Sequence, residues 1–486
     1  MSLKKSLAWL GMAQTISIVL QFASSVVLAR YLTPYETGIF AVAIATMALL
    51  SLLQQLGLNA LIVREEVLTD EVSQTSFAVN ALISVVLSVL IVAASYGGAL
   101  FLRDEGVRDV LLVLAVVPLF GIPSFLPGAN LERKGRFKEL ALISTTTGVI
   151  GAGTTIALAV LGFSYMSSAY AQVASSAAFS LMLSIVGRRH FSLKLSLSAW
   201  RRVADFGLQM LAVAGISTAS QRLSEIMLGR LLGLSALGLY TRASGLNNLL
   251  WGNLHLAVGR VLLVDLAELN RQGISLRDRY KQTVAIATAT LWPAFAGLAV
   301  IAEPFVRFVY GDRWVAAVVP FIYLAIASMI LVAITMTWEL FTATGRLREQ
   351  TRIEFKRGLL SFAIFVGACM ISLEAAAAAR IVDAVISLFL YRPYLNRMTD
   401  TSSADFWGTY LQSALLTLLA IAPAGILMMI NATGKPSLAL VLSTIALGVL
   451  AWVAGLFALK HPLAAELNAT MSYRWPRLAK LTSRFG

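Results

Sequence analysis

Cysteine is almost missing from this chain of 486 residues: Cys369 is the only one, so neither an intrachain disulfide nor a Cys-based zinc site nor a thiol pair can form. Histidine is nearly as scarce, and His190, His255 and His461 are too scattered to suggest a metal site. No Walker-type phosphate loop is present, which argues against direct ATP hydrolysis, and no resident cofactor is implied. Charge is thin as well: 13% of residues are Asp, Glu, Lys or Arg, against about 25% in an ordinary soluble domain. No stretch alternates polar and apolar residues over the ~10 positions of a barrel strand, so a transmembrane β-barrel is excluded.

What fills the chain is apolar: 58% of its residues are hydrophobic. Apolar stretches recur along its length, each near the ~20 residues a helix needs to cross a ~30 Å hydrocarbon core. Helices are the reading that satisfies every backbone polar group inside lipid. The expected spans are 7–28, 37–57, 77–101, 110–127, 140–161, 166–186, 203–224 and 237–258, then 283–302, 315–341, 358–373, 375–391, 407–430 and 437–459. The fold class is therefore an all-α polytopic membrane protein of about 14 helices, with 12 or 13 as alternatives. The first segment follows Lys4 and Lys5 but is too long for a signal-peptide core, and it reads as a helix. Leu359 to Tyr391 must supply two short helices with a turn near Glu374 that has neither Gly nor Pro beside it.

A formal charge of +14 raises the question of a nucleic-acid partner. Its distribution answers otherwise. With a cytoplasmic N-terminus, most of the 39 Lys and Arg fall on the cytoplasmic side. They include Arg133, Lys134, Arg136 and Lys138; Arg188, Arg189, Arg201 and Arg202; Arg271, Arg277, Arg279 and Lys281; and Arg346, Arg348, Arg352, Lys356 and Arg357. This is the positive-inside pattern, and it places both termini in the cytoplasm. The basic tail (Arg474, Trp475, Arg477, Lys480, Arg484) then lies near anionic headgroups. Loops are short, and none outside the membrane is large enough for a catalytic domain. The longest, 259–282, carries Leu262, Leu263, Leu266 and Leu269 at helical spacing and suggests an interfacial helix.

The chain also repeats itself with a shift of 200 residues. Leu28, Arg30, Leu32 and Gly38 match Leu228, Arg230, Leu232 and Gly238; Ile16, Ser17, Gln21 and Ser24 match Ile216, Ser217, Gln221 and Ser224. The repeat joins helices 1 and 2 to helices 7 and 8, so each unit holds six spans in the same orientation. The expected organisation is an N-terminal lobe (1–200), a parallel C-terminal lobe (201–398), and two extra helices with the basic tail (399–486).

Three stretches carry a family resemblance. Leu28-Ala-Arg-Tyr-Leu-Thr-Pro-Tyr-Glu-Thr-Gly-Ile-Phe40 resembles the signature after the first helix of Wzx-type polysaccharide flippases, in the MOP superfamily that also holds MATE exporters and lipid II flippases. Gly238-Leu-Tyr-Thr-Arg-Ala-Ser244 and Ala302-Glu-Pro-Phe-Val-Arg-Phe-Val-Tyr-Gly-Asp312 fit the same family. The resemblance implies a V-shaped, MATE-like transporter in the bacterial inner membrane. It would move undecaprenyl-pyrophosphate-linked oligosaccharide from the cytoplasmic to the periplasmic leaflet, with membrane lipids and polysaccharide polymerase or export proteins as partners. The alternatives are a multidrug cation antiporter of the same fold and, as an enzyme, a membrane glycosyl polymerase or ligase. Helix 1 lacks the acidic residue that serves as the cation site of some MATE relatives.

Ionisable residues inside spans are the site candidates. Arg222 and Arg242 come first, because a guanidinium fork suits pyrophosphate oxygens. Glu225, Arg380, Asp383 and Glu339 complete the cavity candidates. Arg222 with Glu225, and Arg380 with Asp383, also stand at i and i+3, the spacing of intrahelical ion pairs. Glu339 is close enough to a helix end to be interfacial. Arg30 and Arg230 sit where a cation complements a helix C-terminus. Pro118, Pro123, Pro127, Pro293, Pro320 and Pro423 are candidate kinks, and the hydroxyls of Ser144 to Thr147, Thr154 and Thr155 are candidates for a wet path or for bonds across helices.

Overall fold

The computed structural model describes residues 3–54, 57–64, 69–187, 196, 200–431 and 436–465. Arg188, Arg189, His190, Lys435 and the basic tail lie outside them, as do the side chains of Arg201, Arg202 and His255. Among the described residues, eighteen α-helices run in the order α1 (Leu3–Tyr31), α2 (Pro34–Leu50), α3 (Leu58–Arg64), α4 (Asp70–Leu102), α5 (Glu105–Leu114), α6 (Val117–Arg133), α7 (Phe137–Val160), α8 (Met166–Val186) and α9 (Trp200–Leu232). There follow α10 (Leu234–Arg271), α11 (Arg277–Val300), α12 (Ala302–Val309), α13 (Val318–Val332), α14 (Thr337–Ala343), α15 (Leu347–Cys369), α16 (Leu373–Thr399), α17 (Trp407–Ile430) and α18 (Leu438–Ala458). Among the described residues, nine stretches are long and apolar enough to cross a membrane. The chain is an all-helical, polytopic membrane protein. It divides into two compact units, Met1–Thr241 and Arg242–Gly486.

Each expected span contains or overlaps a helix, but several boundaries move. The expected fourth span is two helices, α5 and α6, broken at Ala115–Val116, and Pro118 sits in the first turn of α6, where its missing N–H costs nothing. Pro320 likewise occupies the first turn of α13, whereas Pro123, Pro127, Pro293 and Pro423 are helix-internal as expected. The tenth span breaks between α13 and α14, where Met336 takes a left-handed conformation at φ 58°. Helices α15 and α16 are long rather than short, because charged residues on both sides of the apolar stretch continue the helical pattern. Their turn is set by Ser372, whose side chain accepts the Ala375 N–H at 3.0 Å as an N-cap.

The interfacial helix expected in 259–282 does not exist as a separate element. Helix α10 runs without interruption to Arg271, and Leu262 and Leu266 are buried with Tyr280, Val284, Leu340 and Phe341 in the main core of the second unit. Their helical spacing marks a core face, not a membrane surface. Three hydroxyls of α7 bond within their own helix. Ser144, Thr147 and Thr155 donate to the carbonyls of Ala141, Ile143 and Gly151 of their own helix at 3.0, 3.0 and 2.8 Å.

Candidate functional site

The signature around Gly38 organises the first unit. Thr33 caps α2 and forms a capping box with Glu36, while Pro34 supplies a preformed first turn. Glu36 also accepts from Ser164, and the Tyr35 hydroxyl donates to Asp104, so the start of α2 is tied to the turns before α5 and α8. Tyr165, in the second of those turns, has its hydroxyl pushed up by burial and by the carboxylates of Asp109, Asp104 and Glu36.

Four residues later the two repeat signatures meet. A Cβ on Gly38 would overlap the carbonyl oxygen of Leu234, and a Cβ on Gly238 would overlap the carbonyl oxygen of Pro34. Pro34 and Leu234 are themselves 200 positions apart, so the contact is reciprocal. Each glycine lets the opening turn of its partner helix approach backbone to backbone. Gly38 and Gly238 are thus matched because one crossing uses both.

The candidate arginines fall into separate settings. Arg222 pairs with Glu225 at 2.8 Å, and Gln221 donates to the same carboxylate at 3.3 Å, which realises the intrahelical pair of α9. Arg242 stands in an aromatic setting. Only 9% exposed, it lies over the rings of Tyr310 and Trp314 at 4.9 and 4.5 Å, a double cation–π arrangement. Both aromatics come from the turn after α12, where Gly311 adopts φ 97°. That turn is pinned by Arg307, which donates to Glu303 at 3.0 Å and to Asp312; both bonds push its guanidinium above the ordinary value. Two of the family-like stretches, Gly238–Ser244 and Ala302–Asp312, therefore supply Arg242 and Tyr310 to one cage, which Trp314 completes just beyond the second.

Asp383 is gripped from another helix. Arg357 of α15 reaches both its carboxylate oxygens at 3.3 Å and also binds Glu354 at 2.8 Å. The Tyr391 hydroxyl donates to Glu354 from α16. Arg357, which the charge pattern places in a cytoplasmic loop, is instead a helix residue joining α15 to α16. Arg380 lies 4.1 Å over Phe365 and donates to Ser361 at 3.4 Å. Glu339 is buried, 3% exposed, in the first turn of α14. Arg230 stands in the last turn of α9 with its guanidinium 5.5 Å over Phe101, and Arg30 is exposed in the last turn of α1.

Sequence reasoning missed a second polar layer at the α13–α14 break. The Tyr410 hydroxyl donates to the freed carbonyl of Ala333 at 2.9 Å and accepts from Arg392 at 3.2 Å. Arg392 in turn lies 4.0 Å over Phe406. The break is tolerated because side chains re-satisfy backbone that lipid could not. His461 is buried, its Nδ1 accepts the Leu463 N–H at 3.2 Å, and burial pulls its pKa down, a bland placement.

These features belong to an all-helical, polytopic membrane protein. The chain aligns over 94% of its length with 99% of a lipid II flippase, MurJ, in an inward closed conformation, with a TM-score of 0.72 at 13% identity. An inward-facing multidrug resistance MATE family transporter of the MOP superfamily aligns over 80% of the chain and 96% of its own, with a TM-score of 0.61 at 14% identity. Residues 27–319 match the family described as polysaccharide biosynthesis protein, and the chain belongs to that family. It is 24% identical to the lipopolysaccharide biosynthesis protein WzxC of Escherichia coli (strain K12) over 86% of this chain and 87% of that one. It is 20% identical to the teichuronic acid biosynthesis protein TuaB of Bacillus subtilis (strain 168), over 70% of each.

Proposed function

We propose that this protein is a flippase that carries lipid-linked oligosaccharide units, on an undecaprenyl-pyrophosphate carrier, from the cytoplasmic to the periplasmic leaflet for surface polysaccharide synthesis. The observation that carries this reading is the kinship, over most of the chain, with proteins of polysaccharide, lipopolysaccharide and teichuronic acid biosynthesis. The fold supports transport rather than catalysis, since it is shared with a lipid flippase and with multidrug exporters. The multidrug reading rests on the fold alone. The working arrangement is two parallel six-helix lobes, 1–200 and 201–398, followed by two extra helices, in the bacterial inner membrane with both termini cytoplasmic.

Within that arrangement Arg222 and Arg242 are the residues assigned to the pyrophosphate, with different parts. Arg222 is 31% exposed at its side chain and can exchange Glu225 for a phosphate oxygen. Arg242, held between Tyr310 and Trp314, supplies fixed positive potential. Glu225, Glu339, Arg380 and Asp383 then tune or couple the cycle. Deletion of the gene is expected to leave lipid-linked oligosaccharide on the cytoplasmic face, with rescue by the wild-type chain and not by Arg222→Ala. Normal surface polysaccharide after deletion, in a strain with no redundant flippase, would remove the proposal.

A further inference from the structure

A cavity of about 420 Å³ opens between α15 and α16, away from the Arg242 cage. One wall is the stripe Glu349, Arg352, Ile353 and Lys356 of α15, at i, i+3, i+4 and i+7; the other is Leu390, Tyr394 and Arg397 of α16, at i, i+4 and i+7. These spacings put each set on one helix face. Several arginines among the described residues pair with a carboxylate: Arg136 with Glu139, Arg222 with Glu225, Arg277 with Asp405, Arg357 with Glu354 and Asp383. Among the described residues, Arg352, Lys356 and Arg397 have no ion pair, although they converge on this one cavity. With Glu349 as the sole acid of the lining, the formal balance is two positive charges.

The surroundings define the ligand. Buried Ile353, together with Leu390, gives the cavity an apolar floor, and Tyr394 adds a hydroxyl. Just beyond it, Phe355 and Leu359 of α15 and Phe389 of α16 are 59%, 64% and 73% exposed, an apolar surface suited to hydrocarbon. A soluble anion would use the cations and leave that surface idle. A ligand with a phosphate at one end and a hydrocarbon chain at the other uses both. We infer that the α15–α16 cavity is a binding site for the phosphate headgroup of an anionic lipid, with Arg352, Lys356 and Arg397 as its ligands. Its place among the basic segments sets it at the cytoplasmic leaflet, which rests on the proposed orientation. The source is either a resident phospholipid or the pyrophosphate of the carrier lipid waiting to enter.

The test uses the full chain in nanodiscs of phosphatidylcholine, with phosphatidylglycerol or undecaprenyl pyrophosphate added and retained lipid read by native mass spectrometry. The triple variant Arg352→Ala, Lys356→Ala, Arg397→Ala is expected to retain both anionic lipids at least about tenfold less well than wild type, since each cation near an anionic headgroup contributes on the order of 1 kcal/mol. Glu349→Gln is expected to retain them more tightly, and it decides the matter should the triple variant not fold. Wild-type preference for undecaprenyl pyrophosphate identifies the carrier lipid as the source, and equal or reversed preference identifies a resident phospholipid; either upholds the site. Unchanged retention of both lipids in these variants overturns it. Translocation measured in the same wild-type preparation reports separately on the flippase reading, whose failure would leave this binding result standing.

Discussion

The two copies of the repeat agree where helices cross and disagree where charge is held. Gly38 and Gly238 are matched, and so are the carbonyls they approach. The same 200-residue offset sets Val42, Val110 and Leu114 against Arg242, Tyr310 and Trp314. In the first copy all three are fully buried aliphatic residues, with α2 packed on α5. In the second they form a cation held between two aromatic rings. At that offset one buried layer is aliphatic in the first copy and holds a cation between aromatic rings in the second. A buried guanidinium costs several kcal/mol in desolvation, so such a cation in only one copy points to a use for the charge.

The comparison can be broken from either side. The largest effect is expected for Val42→Arg, which puts the second copy's charge into the first copy's aliphatic site. Without aromatic partners or a carboxylate it should destabilise by about 4 kcal/mol, read as a loss of folded protein in thermal unfolding in detergent. Gly38→Leu and Gly238→Leu should each cost about 3 kcal/mol, and nearly equally, because each side chain meets the partner helix's backbone. A large effect at one glycine and none at the other would break the reciprocity. Arg357→Ala strands Glu354 and Asp383 and should cost about 2 kcal/mol, reduced from the fully buried value because the group is partly exposed. A double-mutant cycle with Asp383→Asn should return a coupling of about 1 kcal/mol. Tyr410→Phe, which removes the hydroxyl from the α13–α14 break, should cost about 1 kcal/mol.

Much of the fold was legible because membrane helices announce themselves by length and composition. The first helix, the repeat and the i, i+3 pair of Arg222 and Glu225 could all be read directly. Breaks within spans could not, since no Gly or Pro stands at Ala333–Met336 and the signal there is a distant hydroxyl, Tyr410. Charged helix ends were read as loops for a related reason. Arg357 and Arg392 look like loop residues in a hydropathy profile, yet Asp383 and Phe406 hold them inside the structure. The Glu354 to Arg357 spacing was the available clue. The cage around Arg242 was the least legible part, because it needs the turn after α12 to fold back on α10. Only the 200-residue offset, followed beyond the glycines to Tyr310 and Trp314, could have pointed to it.

The most direct test is translocation itself. Purified protein is reconstituted into liposomes containing undecaprenyl-pyrophosphate-linked oligosaccharide, and the sugar exposed to an impermeant glycosidase is followed with time. Wild type should bring the protected pool to the accessible face, while Arg242→Val, the first copy's residue in the second copy's place, should remain folded and lose most of that activity. Wild-type vesicles no faster than protein-free ones would contradict the account.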